Sequence, residues 1–257
     1  MLQAHSPLWH FLFVAPNVFL LALATILWRR KLQKRYPVFL LFAFGMAIEQ
    51  LSVYAADVIP SVGPFTFWYI FWAGLLIEAL LKFAVIGEIF GHVFGTYPSL
   101  AKLGKLLISG VGVLLVFVAA AVAAYTPKDN VYWVVSGAHI LEQTIYIIES
   151  GLIFFLFAFA AFFKLHWERK PFGIALGLGT SACIHLAVWA VAAGANPSAR
   201  VRSFLDFPNM AAYSVSVLIW SFYLLAPEKR LVPTAGILVP GNNLEIWNRE
   251  LERLLHQ

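Results

Sequence analysis

Runs of about twenty apolar residues, the length that carries a helix across a bilayer's hydrocarbon core, constrain this chain more than any other feature. Seven such segments stand out, at 8–28, 38–58, 66–92, 106–125, 132–163, 172–194 and 207–226. Hydrocarbon offers no water to bond the backbone, so each run must satisfy its own N–H and C=O groups as a helix. Short turn-rich breaks separate them, with Pro37, Pro60, Pro98, Pro127, Pro171 and Pro197 marking ends. The expected fold is an all-α seven-transmembrane helix bundle over 1–226, followed by a cytoplasmic linker and tail over 227–257. The third and fifth segments exceed a perpendicular span and should tilt or project.

Composition agrees. The 257 residues are 61% hydrophobic and only 12% charged, with a mean hydropathy of +0.80. Those values exclude an ordinary soluble globule, a disordered chain and a nucleic-acid-binding domain. The single cysteine, Cys183, excludes an intrachain disulfide and a CxxC site.

Charge placement sets the expected orientation. Of the 18 Lys and Arg residues, fourteen fall in the breaks after segments one, three and five or in the tail. The other breaks hold only Lys128, Arg200 and Arg202, and Lys82 lies inside a segment. By the positive-inside rule the N-terminus is outside and the C-terminus inside. Trp9, Trp68, Trp72, Trp133 and Trp189 fall toward outer ends, and Trp28, Trp167 and Trp220 toward inner ends, as an interfacial belt would. The first segment runs straight into Arg29–Lys31 without a basic leader, and reads as a retained span rather than a signal peptide. The expected location is a bacterial inner membrane, with the net charge of +5 facing anionic lipid.

The polar residues inside the segments carry the functional signal. Glu49, Glu78 and Glu149 fall at the middles of segments two, three and five, and His185 near the middle of segment six. Lys82 follows Glu78 by one helical turn and shares its face. Each charge at that depth costs about 2.5–3.5 kcal/mol on insertion scales, so such residues face the bundle interior and find partners. Three carboxyls against one lysine predict that Lys82 pairs with Glu78 or a neighbour, leaving the others protonated, hydrogen-bonded or bound to a cation. Glu49, Glu78, Lys82, Glu149 and His185 are therefore the candidate ligand- or proton-binding residues. A polar network that merely holds the helices together remains open beside that reading.

A second polar cluster, His139, Glu142, Gln143 and Tyr146, occupies about two turns of segment five. His139 with Glu142, and Glu88 with His92, have spacings that can place two metal ligands on one helix face. The two pairs lie at opposite depths, so no metal site is assigned. His139 and His185, on neighbouring segments, are the candidates for haem ligation. No cofactor is assigned.

Several familiar chemistries are absent. Segment seven has no lysine for a retinal Schiff base, and segment three lacks the acidic-Arg-aromatic triplet of animal G-protein-coupled receptors. There is no HExxH, Walker loop or GxSxG. Gly173 and Gly177 in FGIALGLG form a GxxxG pair that permits close helix packing. Pro16–Asn17 and Pro208–Asn209 are alike, but the flanking residues do not align as a repeat.

In the tail, residues 227–242 read as a Pro- and Gly-bearing linker. Leu244, Trp247, Leu251, Leu254 and Leu255 then share one face of an amphipathic helix, which either rests on the lipid surface or docks a partner.

The strings IGEIFGHVF, ESGLIFFLFAF, FGIALGLG and IWSFYLLAPEKR, with the tail NLEIWNRELERLL, together resemble a group of bacterial seven-helix membrane proteins of about this length. That resemblance covers most of the chain and implies the fold; it assigns no activity and no functional residue. More distantly, the architecture is similar to the seven-helix sensor modules that precede bacterial kinase domains. No kinase or cyclase output domain is expected here, so a signal would pass to a separate partner.

The functional expectation is a non-enzymatic sensor, receptor-like or accessory membrane protein. Its polar core would bind a small ligand or proton, and its tail helix would contact a partner. A small proton- or cation-coupled transporter and a haem- or metal-binding subunit of a membrane complex are the alternatives.

Overall fold

Prolines open the first three long helices, where a missing N–H costs nothing and the fixed φ is already helical. A computed structural model describes residues 6–95, 131–162, 165, 167–195 and 199–227, with scattered positions between 102 and 121. Its long helices are α1 (Pro7–Arg29), α2 (Pro37–Val58), α3 (Pro64–Phe94), α4 (Val131–Phe162), α5 (Arg169–Ala195) and α6 (Ala199–Leu225). A single 3-10 turn, Leu32–Lys34, links α1 to α2, and no strand occurs among the described residues. All six long helices are long and apolar enough to cross a membrane, which gives the chain the character of a helical multi-pass membrane protein.

Helix ends follow local chemistry. The Ser6 hydroxyl accepts from the Trp9 N–H at 3.3 Å and caps α1. At the other end Lys31 adopts a left-handed φ of 59°, which turns the chain out of the helix. Tyr36, the residue before α2, offers no side-chain cap. Glu88 of α3 supplies one instead: Val38 N and Phe39 N each donate to its carboxylate at 3.0 Å. A carboxylate there also complements the positive end of the helix dipole.

Each helix packs against the next, α1 against α2 through α5 against α6, and α6 returns to α1. The six form a closed ring. Its inner wall holds Glu78, Lys82, Glu149 and His185, all buried, while Phe19, Leu41, Ile48, Leu80, Phe154 and Leu218 point outward and are at least 60% exposed. Water would penalise so much exposed apolar surface; a lipid surround would not.

The α5–α6 contact is the most extensive in the ring, for a visible reason. A Cβ at Gly173 would overlap the Tyr223 side chain, and one at Gly177 the Trp220 indole. Two glycines one turn apart on α5 thus form a groove that α6 enters, as their spacing suggests. Hydrogen bonds close it: Trp220 Nε1 donates to Ile174 O at 3.2 Å and Ser216 Oγ to Gly177 O at 2.8 Å.

Among the described residues, seven of the fourteen basic residues expected on one side lie together at one end of the ring. Arg29, Arg30, Lys31, Lys34 and Arg35 lie at the α1–α2 junction, with Arg169 and Lys170 at the start of α5. Arg30 donates to Leu225 O at 3.1 Å, and Arg35 pairs with Glu168, so these charges also tie helix ends together.

Two expectations need correction, and two fall elsewhere. The break read between Ala195 and Asp206 is helical from Ala199 onward, because its polar residues end the apolar run without breaking the helix. Trp220 is not interfacial: it is 2% exposed, set edge-on against Phe39 and Phe42. Of the fourth apolar segment, 106–125, the described stretch 109–114 is helical and the rest lies largely outside the described residues. The tail residues Leu244, Trp247, Leu251, Leu254 and Leu255 lie outside them altogether.

Candidate functional site

Ring closure leaves a cavity of about 510 Å³ that all six helices line. At the end where α1 begins, its wall is Trp9, Asp57, Phe67 and Trp68; further along the helices it is lined by Glu49 and Tyr213, then by Lys82 and Trp220. None of the described residues between 102 and 121 lines it.

Lys82 forms the charged floor. Its ammonium lies 2.9 Å from Glu78 Oε1 and 3.1 Å from Glu149 Oε2, and stands 4.4 Å from the centroid of the Tyr146 ring. The i, i+4 spacing on α3 delivers the first contact, and close approach of α4 delivers the second. Glu149 is fully buried and its Oε1 has no hydrogen-bond partner among the described residues.

Next to this triad, His185 stacks on Tyr146 with ring centroids 4.3 Å apart. Its Nδ1 lies 2.9 Å from Ser181 O, the carbonyl one turn earlier on α5. Tyr146, in contact with both the Lys82 ammonium and the His185 ring, joins the charged floor to the histidine.

Glu49 stands apart. Gly74 of α3 makes room for it: a Cβ there would approach Glu49 Cγ to 2.8 Å. Its Oε2 is buried and accepts no hydrogen bond among the described residues. Lining the cavity opposite, Tyr213 donates to Asn17 Oδ1 at 2.8 Å, and Asn17 Nδ2 donates to Phe13 O at 2.7 Å. Asn209 also lines the cavity, and its Oδ1 is buried without a donor among the described residues.

Of the candidate binding residues, Glu49, Glu78, Lys82 and His185 line this one cavity, and Glu149 contacts it through Lys82. The second cluster divides. Glu142 and Tyr146 face the cavity, whereas Gln143 is exposed on another face of α4. His139 lies 3.5 Å from Glu142, edge-on to Trp68 and Trp189. Glu88 and His92 belong to the other end, where Glu88 caps α2 and His92 stacks on Tyr36. Among the described residues, no group of three or more His, Cys, Asp or Glu side chains is arranged to hold a metal ion.

Asn17, Asp57, Asn209, Tyr213 and Trp220 also line the cavity, and nothing in the sequence pattern alone placed them in a site. Part of the signal was present. Pro16–Asn17 and Pro208–Asn209 stand out inside apolar helices, but only the ring brings both asparagines to one space.

Compared with known proteins, the chain matches no protein-family model, no curated protein and no solved structure.

Proposed function

We propose that this protein is a receptor-like multi-pass membrane protein whose cavity binds a small ligand, without itself catalysing a reaction. The observation that carries the proposal is the 510 Å³ cavity inside the helix ring, with ionisable groups fixed at its floor. That volume falls within the roughly 300–1,000 Å³ of small-molecule sites, and the lining has their mix of apolar walls and a few convergent polar groups. On the positive-inside rule we read the mouth as facing outward and the basic end inward, and we take the membrane to be a bacterial inner one. Because all six helices touch the space, occupancy would bias their packing, and the amphipathic tail would carry that bias to a partner, as in the sensor modules the architecture resembles.

The test is reach. In a Cys183→Ser background, Ser181→Cys places a thiol on the cavity wall, and Ala175→Cys places one that is fully buried away from it. Methyl methanethiosulfonate should modify the first rapidly and spare the second. Equal protection of both would refute an open binding cavity.

Proton- or cation-coupled transport is the second reading. Carboxylates inside apolar helices favour it: Glu78 and Glu149 are buried around Lys82, and intramembrane ionisable groups mark proton and ion pathways. In proteoliposomes, Glu78→Gln or Glu149→Gln would then stop flux while the fold survives; absence of flux in the parent protein removes the reading.

A further inference from the structure

The proposed binding cavity has a charge pattern that selects its occupant. Among the described residues, Glu49, Glu78 and Glu142 line it, against the single ammonium of Lys82. That ammonium already faces two carboxylates, Glu78 and Glu149. An anion entering the cavity would therefore meet an overcompensated lysine and further carboxylates. A cation would meet Glu49, whose Oε2 receives no donor among the described residues, and Glu142, which has only His139 beside it as a basic neighbour.

The hydrogen-bond inventory points the same way. Two buried acceptors on the wall, Glu49 Oε2 and Asn209 Oδ1, receive no donor from the described residues. Buried acceptors of this kind are costly unless a donor meets them. A ligand matched to them brings N–H groups as well as positive charge. The wall also carries aromatic rings, Trp9, Phe13, Phe67, Trp68 and Phe71, beside aliphatic side chains such as Leu12, Met46 and Leu75. Aromatic faces attract cations and accept an apolar body.

Lys82 shows the same chemistry in miniature. The protein holds its own ammonium between two carboxylates and over a tyrosine ring. The upper cavity repeats those elements, carboxylates and aromatic faces, with no lysine or arginine among its described lining residues.

We propose that the cavity binds a small organic ammonium, a protonated primary or secondary amine with an apolar or aromatic body, with Glu49 as the principal counter-charge. This rests on the ligand-binding reading above and narrows it.

The experiment uses the full chain in mild detergent at neutral pH, with three probes of one shape: benzylammonium, benzyl alcohol and benzoate. Binding is read by isothermal titration calorimetry and by protection of Ser181→Cys from the thiol reagent. Benzylammonium should bind at least about tenfold tighter than either other probe, the weight of one charge-assisted hydrogen bond. Glu49→Gln should remove most of that preference and leave benzyl alcohol unchanged. Equal or better binding of benzyl alcohol or benzoate overturns the cation assignment but leaves the binding cavity standing. The cation assignment also falls, with the cavity still standing, if no probe binds at millimolar concentration while Ser181→Cys reacts. If Ser181→Cys also fails to react, both readings fall.

Discussion

Lys82 of α3 and Glu149 of α4 meet 3.1 Å apart, with the lysine side chain 5% exposed and the glutamate 0%. Glu78 completes the arrangement from one turn away, so a single ammonium serves two carboxylates. Removing the lysine strands both. Lys82→Met should destabilise the protein by about 3–5 kcal/mol, the cost of breaking a buried pair by deleting one partner. Thermal melts in detergent measure it. Combining Lys82→Met with Glu149→Gln should be less damaging than the sum of the two changes, because the second removes what the first left unpaired.

The α5–α6 groove makes a prediction of opposite character for two glycines. At Gly177 a Cβ would overlap the Trp220 indole, which lies 2% exposed and is set edge-on against Phe39 and Phe42. Gly177→Ala should cost about 1–3 kcal/mol through overpacking and loss of the indole bond to Ile174 O. At Gly151 nothing lies within 4 Å of the added carbon. Gly151→Ala should be neutral or stabilising by up to about 1 kcal/mol, the helix-propensity difference. Comparing the two melting temperatures separates close packing from propensity.

Glu88 should behave as a helix cap rather than a ligand. Its two oxygens accept from Val38 N and Phe39 N at the start of α2. Glu88→Ala should cost about 0.5–2 kcal/mol, the range for lost N-caps. Glu88→Gln keeps one acceptor oxygen and should lose less. Added divalent metal should leave the melting temperature of the parent protein unchanged; a metal-dependent rise abolished by Glu88→Ala would restore the ligand reading.

How far the sequence reaches is clear from particular residues. Helix positions were legible because apolar run length is a one-dimensional property; α2 and α4 depart from the expected ends by a single residue. The Lys82–Glu78 contact was legible for the same reason, as an i, i+4 relation within one helix. Glu149 as the second partner was not, since it depends on which way α4 rotates against α3. Trp220 misled because distance from a span end says nothing about which face a residue takes. Its inward turn is set by Gly173 and Gly177 on another helix. The cavity itself has no sequence signature. It arises from closing the ring between α6 and α1, a contact between residues nearly two hundred positions apart.

That closing contact is itself testable. Tyr213 donates to Asn17 Oδ1 at 2.8 Å, and Asn17 is 1% exposed, with its amide nitrogen held by Phe13 O. Tyr213→Phe keeps the ring and removes the donor, leaving a buried acceptor on α1. The expected loss is about 1 kcal/mol, in keeping with hydrogen bonds between membrane helices. Asn17→Leu removes both acceptor and donor and spoils the same bond from the other side. If the two residues act as one unit, the double variant should be no less stable than the worse single one. Additive losses would instead show that Tyr213 and Asn17 stabilise α6 and α1 separately, and that the bond across the ring contributes nothing measurable. The same variants carry a functional readout, because Tyr213 and Asn17 both line the cavity. Tyr213→Phe should leave Ser181→Cys as reactive as before if the bond only joins helices, and should raise its reactivity if the bond holds the cavity's wall closed.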